Sequence, residues 1–107
     1  MENKNNQRLY GMIGFAMRAG KLVVGTELIC RALPKGNIKL VVVSKTASEA
    51  TKKKIFVKCG FYNVSAIEVG ICTERLGKLI GKTYAPAAIA VTDEGFSTEI
   101  KKAVREE

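Results

Sequence analysis

Between Gln7 and Ala19 the apolar residues Leu9, Ile13 and Ala16, with Met12 and Met17 beside them, recur at helical spacing. They predict a first helix with one buried face. Gly11 and Gly14 lower its helix propensity and predict close packing against a sheet. Gly20 follows as a stop, just after Arg18 in the last turn. Leu22–Val24 is a short β-branched-rich run that suits a buried strand. Gly25 and Thr26 then open a second helix reaching about Leu33, with Thr26 as its predicted N-cap. Leu28, Ile29, Ala32 and Leu33 are its predicted buried side, and Pro34 and Gly36 end it.

The continuous run Ile38–Ser44 predicts a central strand covered on both faces. Ser48 is the predicted N-cap of a third helix, with Glu49 in its first turn. Ile55, Phe56 and Cys59 are placed on its inner face, Lys53, Lys54 and Lys58 outside, and Gly60 at its end. Val64–Val69 reads as a third strand. Thr73 is the predicted cap of a short fourth helix that buries Leu76, Leu79 and Ile80 and stops at Gly81. Ala87–Val91 is the fourth strand, and Phe96, Ile100 and Val104 define a last amphipathic helix. Helices alternate with strands without repeat or linker, so the expected fold is a single α/β domain over residues 1–107. It is a three-layer α/β/α sandwich around a small mixed sheet of about four strands. Residues 1–6 and 105–107 are polar and expected to fray.

Charge sharpens this picture. The 107 residues carry a net charge of +8. Residues 1–60 hold 12 Lys and Arg against 3 acids, and residues 61–107 hold 6 against 7. An excess of that size in one half points to a polyanionic partner such as nucleic acid; a merely solubilising surface is the competing reading. No apolar run approaches the roughly 20 residues that span a bilayer. The polar N-terminus lacks the apolar core of a signal peptide, so a cytoplasmic protein is expected.

Catalytic chemistry finds few footholds. The chain has no histidine, which removes the commonest general base and metal ligand. Cys30, Cys59 and Cys72 are too widely spaced for a zinc site or a disulfide framework and read as buried free thiols. The acids Glu27, Glu49, Glu68, Glu74, Asp93 and Glu94 fall at helix starts and strand ends, where capping accounts for them. Gly77–Thr83 resembles a phosphate-binding loop, but three residues separate its glycines where that motif needs four. The expectation is a non-enzymatic protein with no cofactor and no metal.

A binding surface remains. Gly25 lies beside the free N–H groups of a helix start, which either marks a tight turn alone or lets a phosphate approach the backbone. Lys21, Arg31 and Lys45 add cations, with Lys45 at the same sheet end as Gly25 if the first two strands run parallel. Lys82, Thr83, Tyr84, Ala85 and Pro86 form the loop before the last strand. Tyr84 fits either a packing residue or a stacking platform for RNA bases.

The order and spacing of several short motifs resemble the kink-turn-binding ribosomal proteins, typified by the archaeal large-subunit protein seven-Ae and the eukaryotic thirty-e. The nearest likeness is to the bacterial YlxQ-like branch. The matching stretches are Arg18–Leu22, Gly25, Arg31–Ala32, Lys39–Val43, Leu76–Lys78, Gly81 and Ala88–Asp93. This resemblance implies an RNA-binding protein of ribosomal type, acting as a monomer on structured ribosomal or small non-coding RNA. It implies a site of Lys21, Gly25, Thr26, Glu27, Leu28, Arg31, Lys45 and the Lys82–Pro86 loop. The family reads sheared G·A pairs with polar residues two and three places after its glycine, assisted by a cation six places after it. Those positions here are Glu27, Leu28 and Arg31, and Leu28 has no polar atom to offer. A protein-interaction or assembly module associated with translation, with a merely solubilising basic half, is the alternative.

Overall fold

The computed structural model describes residues 4–105 of the chain. Of the residues expected to fray, 1–3 and 106–107 lie outside the described residues, whereas 4–6 and 105 are helical. Nine elements follow in order: α1 (Lys4–Arg18), β1 (Leu22–Val24), α2 (Thr26–Ala32), β2 (Leu40–Ser44), α3 (Glu49–Phe61), β3 (Ser65–Val69), α4 (Thr73–Leu79), β4 (Ala88–Val91) and α5 (Glu94–Arg105). A short 3-10 turn, Leu33–Lys35, extends α2. The first helix thus begins three residues before the predicted Gln7.

The strands form one sheet in the order β1-β4-β2-β3. β4 lies antiparallel to both β1 and β2, and β3 lies parallel to β2. Alternation along the two central strands builds two cores. Leu40, Val42, Ile89 and Val91 face α1, α4 and α5, packing on Leu9, Ile13, Leu76 and Ile100. Val41, Val43, Ala88 and Ala90 face α2 and α3, packing on Ile29, Leu33, Ile55 and Cys59. Every residue of β2 and β4 is buried, while β1 and β3 at the edges are only partly so. The predicted α/β/α sandwich, with Ile38–Ser44 supplying a strand covered on both faces, is the fold observed.

Helix ends follow local chemistry. Gly20 and Gly81 adopt left-handed conformations, with φ of 73° and 71°. Each closes a pair of bonds to the preceding turn: Lys21 N–H to Ala16 O with Gly20 N–H to Met17 O, and Lys82 N–H to Gly77 O with Gly81 N–H to Lys78 O. α3 runs past the predicted stop at Gly60. Asn63, at φ 58°, takes the left-handed position there, and Val64 N–H reaches Cys59 O. The Ser48 hydroxyl accepts from Thr51 N–H at 3.2 Å, as expected of a cap.

Four expectations are corrected. Thr26 does not cap α2, because Gly25 occupies the cap position and makes no side-chain bond. Thr73 does not cap α4, because Cys72 holds that place. Leu28 and Phe56 lie exposed, since each is offset by about 100° from the residue after or before it that points into the core, Ile29 or Ile55. Gly14 packs beside α4 rather than the sheet, where an added Cβ would stand 3.9 Å from Leu79 O.

Of the cysteines, Cys59 is buried while Cys30 and Cys72 are half-buried. Burial, and then the neighbouring Cys30, pushes the Cys59 thiol from 9.0 up to about 11. No helix among the described residues is long and apolar enough to cross a membrane.

Two outcomes follow for stability. Ser48→Ala is expected to cost about 1 kcal/mol in urea unfolding, with a markedly smaller loss for Thr26→Ala. Because the folded chain holds the Cys59 proton to higher pH than the unfolded chain, that residue's contribution is full below about pH 9 and lost as pH rises toward 11. Comparing unfolding of the chain and of Cys59→Ala across pH 8 to about 11 isolates this slope from other titrations.

Candidate nucleic-acid interface

Inserting β4 antiparallel between β1 and β2 brings the C-terminal ends of β1, β2 and β3 to the end where β4 begins. A line of hydrogen bonds crosses that end. Gly25 N–H donates to Ala88 O at 3.1 Å, Ser44 N–H to Ala87 O at 2.9 Å, and Lys45 N–H to Ile71 O at 3.2 Å. The Gly25 turn, the Lys45 loop and the loop before β4 are therefore neighbours, as the parallel arrangement of the first two strands requires. At φ 100° and ψ 144° Gly25 has a backbone that L side chains rarely adopt. Its carbonyl accepts the first helical bond, from Ile29 N–H at 3.0 Å.

Around this end the predicted residues take distinct places. Glu27 and Leu28 are exposed on the first turn of α2, Leu28 at 53%. Arg31 is exposed on its last turn, about 9 Å along the helix axis from Gly25. Lys45, Lys82, Thr83, Tyr84 and Ala85 are exposed, Tyr84 at 53%, whereas Pro86 is buried beneath its loop. Lys21 is not among them. Its carbonyl accepts from Thr92 N–H at 2.9 Å, beyond the far end of β4, so Lys21 sits at the opposite end of the sheet.

Cations from the second half of the chain take its place. Lys45 shares a pocket of about 200 Å³ with Tyr10, Cys72 and Arg75, and the Arg75 guanidinium lies 5.3 Å from the Tyr10 ring centroid. Lys78 and Lys82 line a groove of about 280 Å³ with Glu74, Thr83, Tyr84 and Ala85. Half-by-half charge counting missed Arg75 and Lys78, since the fold and not the chain order sets which cations gather. Glu74 remains ionised among them. Its own backbone N–H, then the Thr73 hydroxyl and the Cys72 thiol, hold its carboxyl below the usual range.

Two supports beneath the loops were also missed. Ser44, fully buried at the end of β2, donates its hydroxyl to Ile71 O at 2.6 Å and accepts from Thr46 N–H at 3.2 Å. Thr46 Oγ1 in turn accepts from Thr73 N–H at 2.9 Å, so the loops after β2 and β3 are latched together. The sequence signal was present, because Ser-x-Thr at a strand end favours such side-chain turns. The second support is Gly77. A Cβ built there would collide with the Tyr84 carbonyl oxygen and stand 3.4 Å from Pro86. The Tyr84 loop lies directly on the α4 backbone, and glycine is what admits it. The glycine that resembled part of a phosphate-binding loop instead seats the loop carrying Tyr84.

Among the described residues no cluster of three His, Cys, Asp or Glu could hold a metal ion. The arrangement offers cations, an open backbone at Gly25, an apolar ledge from Leu28 and an aromatic from Tyr84. Those are groups for binding a structured polyanion rather than for breaking bonds.

Comparison with known proteins points the same way. Residues 7–101 match the family described as Ribosomal protein L7Ae/L30e/S12e/Gadd45. The chain is 35% identical over 104 residues to the RNA-binding protein YlxQ of Enterococcus faecium, covering 97% of this chain and 98% of that one. It is 36% identical over 91 residues to the RNA-binding protein YlxQ of Bacillus subtilis (strain 168), covering 85% and 89%. A solved structure of a protein with unknown function from Bacillus halodurans superposes with a TM-score of 0.84 at 35% identity, covering 92% of this chain and 97% of that one. The two named relatives are RNA-binding proteins.

The Gly77 contact gives a direct test of how the loop is held. Gly77→Ala is expected to displace residues 82–86 and to cost about 1–3 kcal/mol in unfolding. The accompanying shifts should appear at the Thr83–Ala85 amides in 15N–1H spectra and leave the α3 amides unmoved.

Proposed function

The chain belongs to the ribosomal protein L7Ae/L30e/S12e/Gadd45 family, and on that premise we propose that it binds structured RNA of the kink-turn type through the end of the sheet where Gly25, Lys45 and the Lys82–Pro86 loop meet. It acts without catalysis, as a cytoplasmic monomer on ribosomal or small non-coding RNA. The observation that carries this reading is the row of backbone bonds joining Gly25, Ala87, Ala88, Ser44, Lys45 and Ile71. It holds a glycine turn, a cationic loop and an aromatic loop at fixed spacing.

Each part has a role. At Gly25 the missing side chain leaves the α2 start open, where a nucleic-acid edge can approach the backbone. Glu27 accepts from base amino groups, and Arg31 donates to phosphate or to a guanine edge. Leu28 cannot hydrogen-bond, so it acts with Tyr84 as an apolar ledge against which an unstacked base rests. Lys45, Arg75, Lys78 and Lys82 flank the ledge and neutralise phosphates on either side. Glu74, ionised among these cations, opposes the RNA backbone and favours RNAs whose phosphates pass it at a distance.

The test is a salt series of binding to a kink-turn RNA and to a duplex of equal length. A preference for the kink-turn at physiological salt is expected, with affinity falling as salt rises. Lys45→Ala and Lys82→Ala should each lower the salt slope by about one. Arg31→Ala should cost about 1–3 kcal/mol. Lys21→Ala, at the other end of the sheet, should change neither affinity nor slope. Equal and weak binding to both RNAs would refute kink-turn recognition, and an effect of Lys21→Ala matching that of Lys45→Ala would refute the placement of the site.

A further inference from the structure

α3 buries Ile55 and Cys59 against the sheet, and its opposite side is apolar as well. Val57 is 62% exposed and Phe61 78%, the highest values among the exposed large hydrophobic residues described. Lys53, Val57 and Phe61 follow at four-residue spacing and form one outward stripe, with Lys54 and Lys58 along its flank. Gly60 beside it carries no side chain, and a Cβ there would meet only open space. The Phe61 ring is fixed edge-on against Tyr62, with centroids 4.9 Å apart at 85°.

The helix's lysines divide into two sets. Lys52 turns toward the sheet and pairs with Glu49 at 3.6 Å and Glu68 at 3.4 Å. Lys53, Lys54 and Lys58 form no ion pair among the described residues. A solvent-facing helix side is ordinarily polar, and scattered single apolar residues need no explanation. Here two large apolar side chains lie beside the exposed Lys53 and Lys54, with the half-buried Lys58 at the flank.

We infer that this face docks an acidic, amphipathic segment of a partner protein. Apolar side chains of that segment rest on Val57 and Phe61 and over the bare backbone at Gly60, while its carboxylates meet Lys53, Lys54 and Lys58. Protein interfaces have this anatomy, an apolar centre with an aromatic anchor inside a charged rim. The complementary charge fixes the partner as acidic. Single-stranded RNA fits less well: Val57 has no ring to stack on, and the edge-on Phe61–Tyr62 pair offers no continuous platform. α3 leads through Asn63 to the start of β3, at the sheet end opposite Gly25 and Lys45. RNA and partner can therefore be held together without competition.

Selection from a random library of peptides of about 15 residues, roughly four helical turns, against the full chain tests this. Enriched sequences are expected to carry net negative charge and two spaced apolar residues. Their binding should weaken about tenfold in Val57→Ser, in Phe61→Ser and in the double variant Lys53→Glu, Lys54→Glu. All four side chains are exposed, so folding is preserved, and kink-turn RNA affinity of Val57→Ser and Phe61→Ser should match the parent. Enrichment of neutral or basic peptides, no enrichment, or binding insensitive to these changes would overturn the inference. So would oligouridylate binding that is lost in Phe61→Ser, which makes the face an RNA platform. Self-association abolished by Phe61→Ser would overturn it too, assigning the face to a second copy.

Discussion

β4 enters the sheet antiparallel between β1 and β2, and its pairing on both sides fixes which loops meet at one end of the sheet. Burial on both faces is what holds it there. Ile89 and Val91 turn to the core under α1 and α5, and Ala88 and Ala90 to the core under α2 and α3. Full burial of a side chain such as Ile89 contributes about 1.5–3 kcal/mol. A one-residue slip would drive alanines into the larger core and the bulky residues under α2 and α3. The small side chains on that face also let α2 sit close to β4, which places Gly25 against Ala88. Once β4 is fixed, the three parallel strands must deliver their following loops to one end.

Those loops would still be free to wander without the contacts beneath them. Two short bonds tie the β2 loop to the β3 loop, from the Ser44 hydroxyl to Ile71 O and from Thr73 N–H to Thr46 Oγ1. Gly77 lets the Tyr84 carbonyl rest on the helix backbone. Both devices restrict conformation before any ligand arrives, so less ordering entropy is lost on binding. The end of the sheet is thus a preformed surface, and its cations come from four separate segments. Its acid, Glu74, is held ionised by the N–H of the same helix start that the latch positions.

α3 shows a different use of the same charges. Lys52 neutralises two acids at the sheet edge, whereas Lys53 and Lys54 are exposed beside Val57 and Phe61 and Lys58 is half-buried at their flank. Residues one or two apart in a helix point to different sides, so one lysine-rich stretch serves both packing and an outer surface. The inner requirement, Ile55 and Cys59 against the sheet, does not explain the outer apolar stripe. That surplus is what sets α3 apart from α5, whose outward side is polar.

The sequence alone made legible the alternation of helices and strands, the central position of the Ile38–Ser44 run and the glycine stops at Gly20, Gly36 and Gly81. Side-chain periodicity and left-handed backbone preferences are local properties, so they leave their trace within a few residues. It also carried a correct conditional: Lys45 joins Gly25 if the first two strands run parallel. Local propensity misjudged Thr26 and Thr73 as caps, because Gly25 and Cys72 are fixed there by distant pairings with β4 and the β2 loop. That Lys21 lies at the far end, that Arg75 and Lys78 join Lys45, and that Gly77 seats Tyr84 became visible in the folded arrangement alone. Each depends on strand order and on contacts between residues far apart in the chain. A periodic pattern records which face of an element is buried, and it holds no information about which element buries it.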